Sequence, residues 1–72
     1  MPDNILVRFG YAVRKIRLKN GISQEELADL CGLHRTYISD IELGKRNISL
    51  ENIERIAESL QIPLSVLFKE VE

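Results

Sequence analysis

The sequence predicts an all-α fold, a compact five-helix bundle formed by one domain spanning residues 1–72. Three observations lead there. Apolar residues recur at spacings of three and four, and no stretch alternates apolar and polar for long. Helix-start residues precede the periodic stretches: Ser23, Ser49 and Pro63. Glycines follow several of them, at Gly21, Gly32 and Gly44. A chain of 72 residues buries only a modest fraction of its surface, so it needs tight packing or a partner subunit to be stable.

The first helix is expected from about Asn4 to Lys19, with Ile5, Leu6, Phe9, Ala12, Val13 and Ile16 on one face. Arg8, Lys15 and Lys19 line one edge of that face, either as a solvated rim or as a phosphate-facing edge. Asn20-Gly21 closes the helix and Ile22 is set to fit beneath the turn. The second helix starts at Ser23, where Glu26 completes an S-x-x-E capping box. Leu27, Ala28 and Leu30 are its expected apolar side, and Gly32 permits the sharp turn that follows. A third helix follows from about His34 to Leu43, with Ile38 and Ile41 inward and Gly44 ending it. His34 is placed as a cap or a phosphate neighbour. Ser49 caps a fourth helix, Leu50 to Leu60, whose core face is Ile53, Ile56, Ala57 and Leu60. Pro63 suits the first turn of a fifth, which carries Leu64, Leu67, Phe68 and Val71. Five short helices cannot bury every such face. The surplus around Leu64, Phe68 and Val71 is expected to form a dimer seam; the alternative is that Leu64 to Phe68 only closes the protomer's own core.

Two short helices joined by a tight turn, over Ser23 to Glu42, match a helix-turn-helix, whose second helix enters a DNA major groove. Thr36, Ser39, Asp40 and Leu43 project away from Ile38 and Ile41, and Arg35 can reach across from the flank. Small polar residues let such a helix approach base edges. Arginine suits bidentate bonding to guanine, and a threonine methyl can meet a thymine methyl. Tyr37 lies to the side, where its hydroxyl can meet a phosphate. Gln24, in the first turn of the second helix, can offer its amide to another phosphate beside the helix N-terminus. Lys45, Arg46 and Asn47 form a loop suited to clamping the backbone.

Composition narrows the alternatives. The chain is 44% hydrophobic and 29% charged, as expected of a globular protein. Its net charge of −1 argues at first against nucleic acid. However, Arg8, Arg14, Lys15, Arg17 and Lys19 oppose only Asp3 in the first twenty residues, and the acidic excess gathers after residue 48. DNA responds to the local patch more than to the total. A single cysteine, Cys31, forms no internal disulfide; it reads as buried filler in a reducing, cytoplasmic setting. No signal-peptide pattern opens the chain and no apolar run is long enough for a membrane helix. His34 is the lone histidine and no metal-ligand spacing exists, so neither an enzyme, a metal site nor a cofactor is expected. The competing class is a protein-interaction module, such as an antitoxin, or a prophage-type repressor that also binds a protein partner.

Ser23-Gln24-Glu25-Glu26-Leu27-Ala28, Gly32-Leu33, Tyr37-Ile38-Ser39, Ile41-Glu42 and Gly44 resemble the phage-repressor and Cro-like helix-turn-helix family, the lambda-repressor-like DNA-binding domain. His34 to Ser39, Arg46 to Leu50 and Leu64 to Phe68 look like the small controller proteins of restriction–modification systems. The resemblance covers nearly the whole chain. It implies a sequence-specific transcription regulator that dimerises, often through its last helix, on a pseudo-palindromic operator. It implies that Gln24 touches phosphate, that Arg35, Thr36 and Ser39 lie at the groove, and that Arg17 pairs with Glu42 as a structural ion pair. Its partners would be double-stranded DNA, a second copy of the chain and, as a candidate, RNA polymerase, with no membrane and no small-molecule ligand. Asp40 departs from the family's usual small neutral residue. A carboxylate there must accept from a cytosine amine or pair with a nearby arginine.

Overall fold

A computed structural model describes residues 4–72. Five helices follow one another: α1 (Ile5–Lys19), α2 (Gln24–Cys31), α3 (Arg35–Glu42), α4 (Leu50–Ser59) and α5 (Leu64–Val71). Local chemistry sets most of their ends. Asn4 Oδ1 accepts from the Val7 amide to start α1. Ser23 and Glu26 form the full capping box, with bonds of 3.0 and 2.7 Å, and Ser49 caps α4 by accepting from the Asn52 amide. Each bond satisfies an amide that the helix itself leaves without a partner. Gly32 (φ 71°) and Gly44 (φ 74°) adopt the left-handed conformation that ends α2 and α3. Pro63 stands at the cap position of α5 rather than within its first turn, and α4 ends at Ser59.

α2 and α3 form one angled pair. α1 crosses behind, against α3 and α5, and α4 closes the far side against α2. The shared core is Phe9, Ala12, Val13, Ile16, Leu27, Ala28, Cys31, Ile38, Ile41, Ile56, Ala57, Leu60, Leu67 and Val71. Side chains from all five helices meet there, so none of these short helices stands alone.

Several expectations about faces need correction. Leu30 is 61% exposed; Cys31 takes its place in the core, one residue further on. Ile5 is also exposed, because it precedes the point where α5 covers α1. Val71 is only 3% exposed and belongs to the protomer's own core, so it offers no surface to a second chain. Leu64 packs partly against that core as well, while Phe68 (37% exposed) and its neighbour Val66 remain open.

Gly10 faces the end of α3. A Cβ added there would lie 2.2 Å from the Ile41 carbonyl oxygen and 2.8 Å from that of Glu42. No side chain fits, so glycine is what lets α1 meet the backbone of α3 directly. A glycine inside an otherwise strong amphipathic helix costs about 1 kcal/mol relative to alanine, and here the close packing of two helices requires it.

Candidate nucleic-acid interface

The second helix of the motif has two sides of opposite character. Ile38 and Ile41 are fully buried, while Arg35 and Thr36 are exposed and Ser39 and Asp40 are half-buried at the rim. The periodicity of α3 forces this split: residues 38 and 41 turn inward, so 36, 39 and 40 must turn out. Leu43 extends the outward face at the end of the helix. His34 occupies the cap position of α3, but its side chain makes no capping bond; backbone carbonyls alone start the helix.

Beneath this helix lies a buried ion pair. Arg17 Nε donates to Glu42 Oε2 at 2.6 Å and Arg17 Nη2 donates to Oε1 at 3.0 Å. Arg17 Nη1 donates to the Ile22 carbonyl at 2.9 Å. The two side chains are 8% and 2% exposed. One guanidinium thus ties the end of α1, the turn before α2 and the end of α3 together. Hydrogen bonding to Glu42 raises the Arg17 pKa above its ordinary value, although burial acts the other way.

Gln24 joins the same carboxylate. Its Nε2 donates to Glu42 Oε1 at 3.0 Å. The amide expected to face a phosphate is therefore held by the protein. Outside the capping box, the start of α2 has the second hydrogen of that amide and the backbone amides of Gln24 and Glu25, since the Glu26 amide donates to Ser23 Oγ.

The loop after α3 folds back on the helix. Arg46 Nη2 lies 3.7 Å from Asp40 Oδ2, and the guanidinium sits 4.8 Å from the Tyr37 ring centroid, a cation–π geometry. Of the two ways foreseen to neutralise Asp40, the arginine pairing is the one present. Asn52 Nδ2 donates to the Tyr37 hydroxyl at 3.2 Å. Lys45, Arg46 and Asn47 are all exposed beside the outward face of α3.

The basic edge of α1 lies elsewhere. Lys15 pairs with Glu70 of α5 at 3.1 Å, Arg8 lines a cleft with Glu70 and Val71, and Lys19 lines another with Ile62, Val66 and Glu70. Arg8, Lys15 and Lys19 therefore border α5. Sequence reasoning missed Gly10 and Asn52. A mid-helix glycine was a signal for the first; for the second none existed, because the Asn52–Tyr37 bond spans a loop.

Cys31 is buried, and its Sγ lies 3.3 Å from Ser59 Oγ. Burial pushes its thiol above the usual value, against the smaller opposing influences of Ser59 and Arg55.

Comparison with known proteins agrees with this geometry. A family defined as helix-turn-helix matches residues 13–67. The control protein C.BamHI of Bacillus amyloliquefaciens is 59% identical over 63 residues, covering 86% of this chain and 78% of that one. The crystal structure of the restriction–modification controller C.AhdI from Aeromonas hydrophila superposes with a TM-score of 0.85 at 48% identity, over 88% of this chain and 91% of that one. The structure of C.Esp1396I bound to a 25 base pair operator site superposes with a TM-score of 0.88 at 37% identity, over 94% and 90% of the two chains.

Proposed function

The chain belongs to the helix-turn-helix family, and from that premise we propose that it is a sequence-specific DNA-binding transcription regulator, a controller of the restriction–modification type. It is a regulator by kinship and not an enzyme. The observation that carries the proposal is the division of α3: a fully buried pair, Ile38 and Ile41, opposite an outward face of exposed Arg35 and Thr36 and half-buried Ser39. Arg35 reads a guanine through its two parallel donors, and Thr36 and Ser39 meet neighbouring base edges. The start of α2 at Gln24 and the loop residues Lys45, Arg46 and Asn47 hold the phosphates on either side. Asp40 acts through Arg46, whose guanidinium lies 3.7 Å from it and also stands over the Tyr37 ring. The operator-bound state of C.Esp1396I and the close likeness to C.BamHI support this assignment.

The regulator works as a homodimer. Phe68, Val66 and the open side of Leu64 on α5 form the seam, so residues 1–72 act as a single DNA-binding domain with a C-terminal dimerisation helix. Two-fold symmetry sets the paired α3 helices about 34 Å apart, one turn of B-DNA, so the operator is a pseudo-palindrome. Among the described residues no helix is long and apolar enough to cross a membrane, and the regulator acts in the cytoplasm, where its DNA is. Where it activates, RNA polymerase is its further partner.

The test is Arg35→Ala, assayed against duplexes that the native protein selects from a random pool and against unselected duplex. Specific binding should fall by about 1–3 kcal/mol and discrimination at one operator position should relax. Equal losses on both duplexes would refute base reading by Arg35.

A further inference from the structure

We propose that Asn52 is a positioning residue for DNA binding: it fixes the Tyr37 hydroxyl so that its proton faces the nucleic acid. The inference rests on the reading above, in which the outward side of α3 meets DNA and Tyr37 contacts its backbone.

A phenol oxygen has one hydrogen and can both donate and accept. Phosphodiester oxygens only accept, so the Tyr37 hydroxyl helps binding only when it donates. Asn52 Nδ2 donates to this hydroxyl at 3.2 Å. An oxygen that accepts on one side directs its own hydrogen elsewhere. Asn52 lines one cleft with His34, Thr36, Tyr37 and Arg46, and DNA lying along the outward side of α3 would take the proton on the side of the oxygen away from Asn52.

The remaining degrees of freedom are also constrained. Asn52 stands in the first turn of α4, and its backbone amide is bonded to Ser49 Oγ at 3.2 Å. The capped turn therefore sets where the Asn52 side chain begins. The Tyr37 ring is partly buried against the core on one side and has the Arg46 guanidinium 4.8 Å from its centroid. Ring and oxygen are thus held in place, and only rotation of the O–H remains to be chosen. Asn52 makes that choice, fifteen residues along the chain and on a different helix. Pre-orienting a donor removes an ordering cost that binding would otherwise bear.

The experiment is a mutant cycle read by fluorescence anisotropy on two labelled duplexes: one selected from a random pool by the native protein, and a scrambled duplex of equal length. Tyr37→Phe should weaken binding to the selected duplex about fivefold, the worth of one hydrogen bond. Asn52→Ala should weaken it about two- to fivefold and have no further effect when combined with Tyr37→Phe. Asn52→Asp is the sharper variant. A carboxylate only accepts, so it takes the Tyr37 proton and turns the hydroxyl away from DNA. An acid in the first turn also suits the helix dipole, so α4 keeps its fold, which an unchanged melting midpoint would verify. Its loss should be larger in the native background than in the Tyr37→Phe background, where only charge repulsion remains.

Tyr37→Phe impaired while Asn52→Asp binds like the native protein would overturn the inference and leave the interface standing. So would losses from Asn52→Ala and Tyr37→Phe that simply add. Native-like binding by Tyr37→Phe would instead overturn the underlying reading of Tyr37.

Discussion

Replacing Glu42 by alanine should remove a large share of the domain's stability. Its carboxylate is 2% exposed at the side chain and accepts from Arg17 Nε, Arg17 Nη2 and Gln24 Nε2. After Glu42→Ala the Arg17 guanidinium stays beneath α3 with only the Ile22 carbonyl as acceptor. Stranding one charge of a buried pair costs about 3–5 kcal/mol. A domain of this size has roughly 4–11 kcal/mol in total, at about 0.05–0.15 kcal/mol per residue. In urea, with a slope near 1 kcal/mol/M for a small protein, the midpoint should fall by about 3 M or more, or the variant should fail to fold. Far-UV circular dichroism at one fixed protein concentration measures this, because the proposed dimerisation would make the midpoint concentration-dependent. The double variant Arg17→Met/Glu42→Leu supplies the control. It strands no charge and should be more stable than either single variant. A loss below about 1 kcal/mol for Glu42→Ala, or a double variant as unstable as the singles, would refute the reasoning.

Lys45→Ala should weaken selected and unselected duplexes alike and reduce the slope of log affinity against log salt by about 1, read from anisotropy titrations at several salt concentrations; a loss confined to the selected duplex would contradict the clamp. Phe68→Asp should give monomers at micromolar concentration in analytical ultracentrifugation, and an unchanged dimer would remove α5 from the seam. Cys31 has a folded pKa raised above its ordinary 9.0, so its folded state favours the neutral thiol. Stability from this group is full below pH 9, and it declines as pH rises from the unfolded value through the raised one. Chemical unfolding of native protein and Cys31→Ala between pH 8 and 11 should converge as pH rises, and parallel curves would contradict the assignment.

Much of the architecture was legible because its causes are local. Ser23 and Glu26 lie three residues apart, and their capping box needs nothing beyond its own turn. Ile38 and Ile41 fix the inner side of α3 by spacing alone, and the outer side follows. What escaped was set by where other helices lie. Leu30 and Cys31 differ by one position, and only the placement of α4 decides which is covered. Val71 was read as surplus surface because the sequence does not say that α1 already covers it. The basic edge of α1 was ambiguous until α5 took it, through Lys15 and Glu70. On the outward side of α3, the exposure of Thr36 followed from helical phase, and Arg35, read at the flank, is exposed as well. The seating of Gln24 on Glu42 and the bond from Asn52 to Tyr37 join side chains far apart in the chain, and no periodicity encodes them.

The bare position at Gly10 carries a consequence for specificity. Helix α1 touches the carbonyls of Ile41 and Glu42 with nothing between, so the depth at which α3 is seated is set by a missing atom. A single methyl group there would lift the tail of the reading element outward and tilt its tip. If Arg35 reads a base pair as proposed, its register would be set from behind, by Gly10 at the contact between α1 and α3.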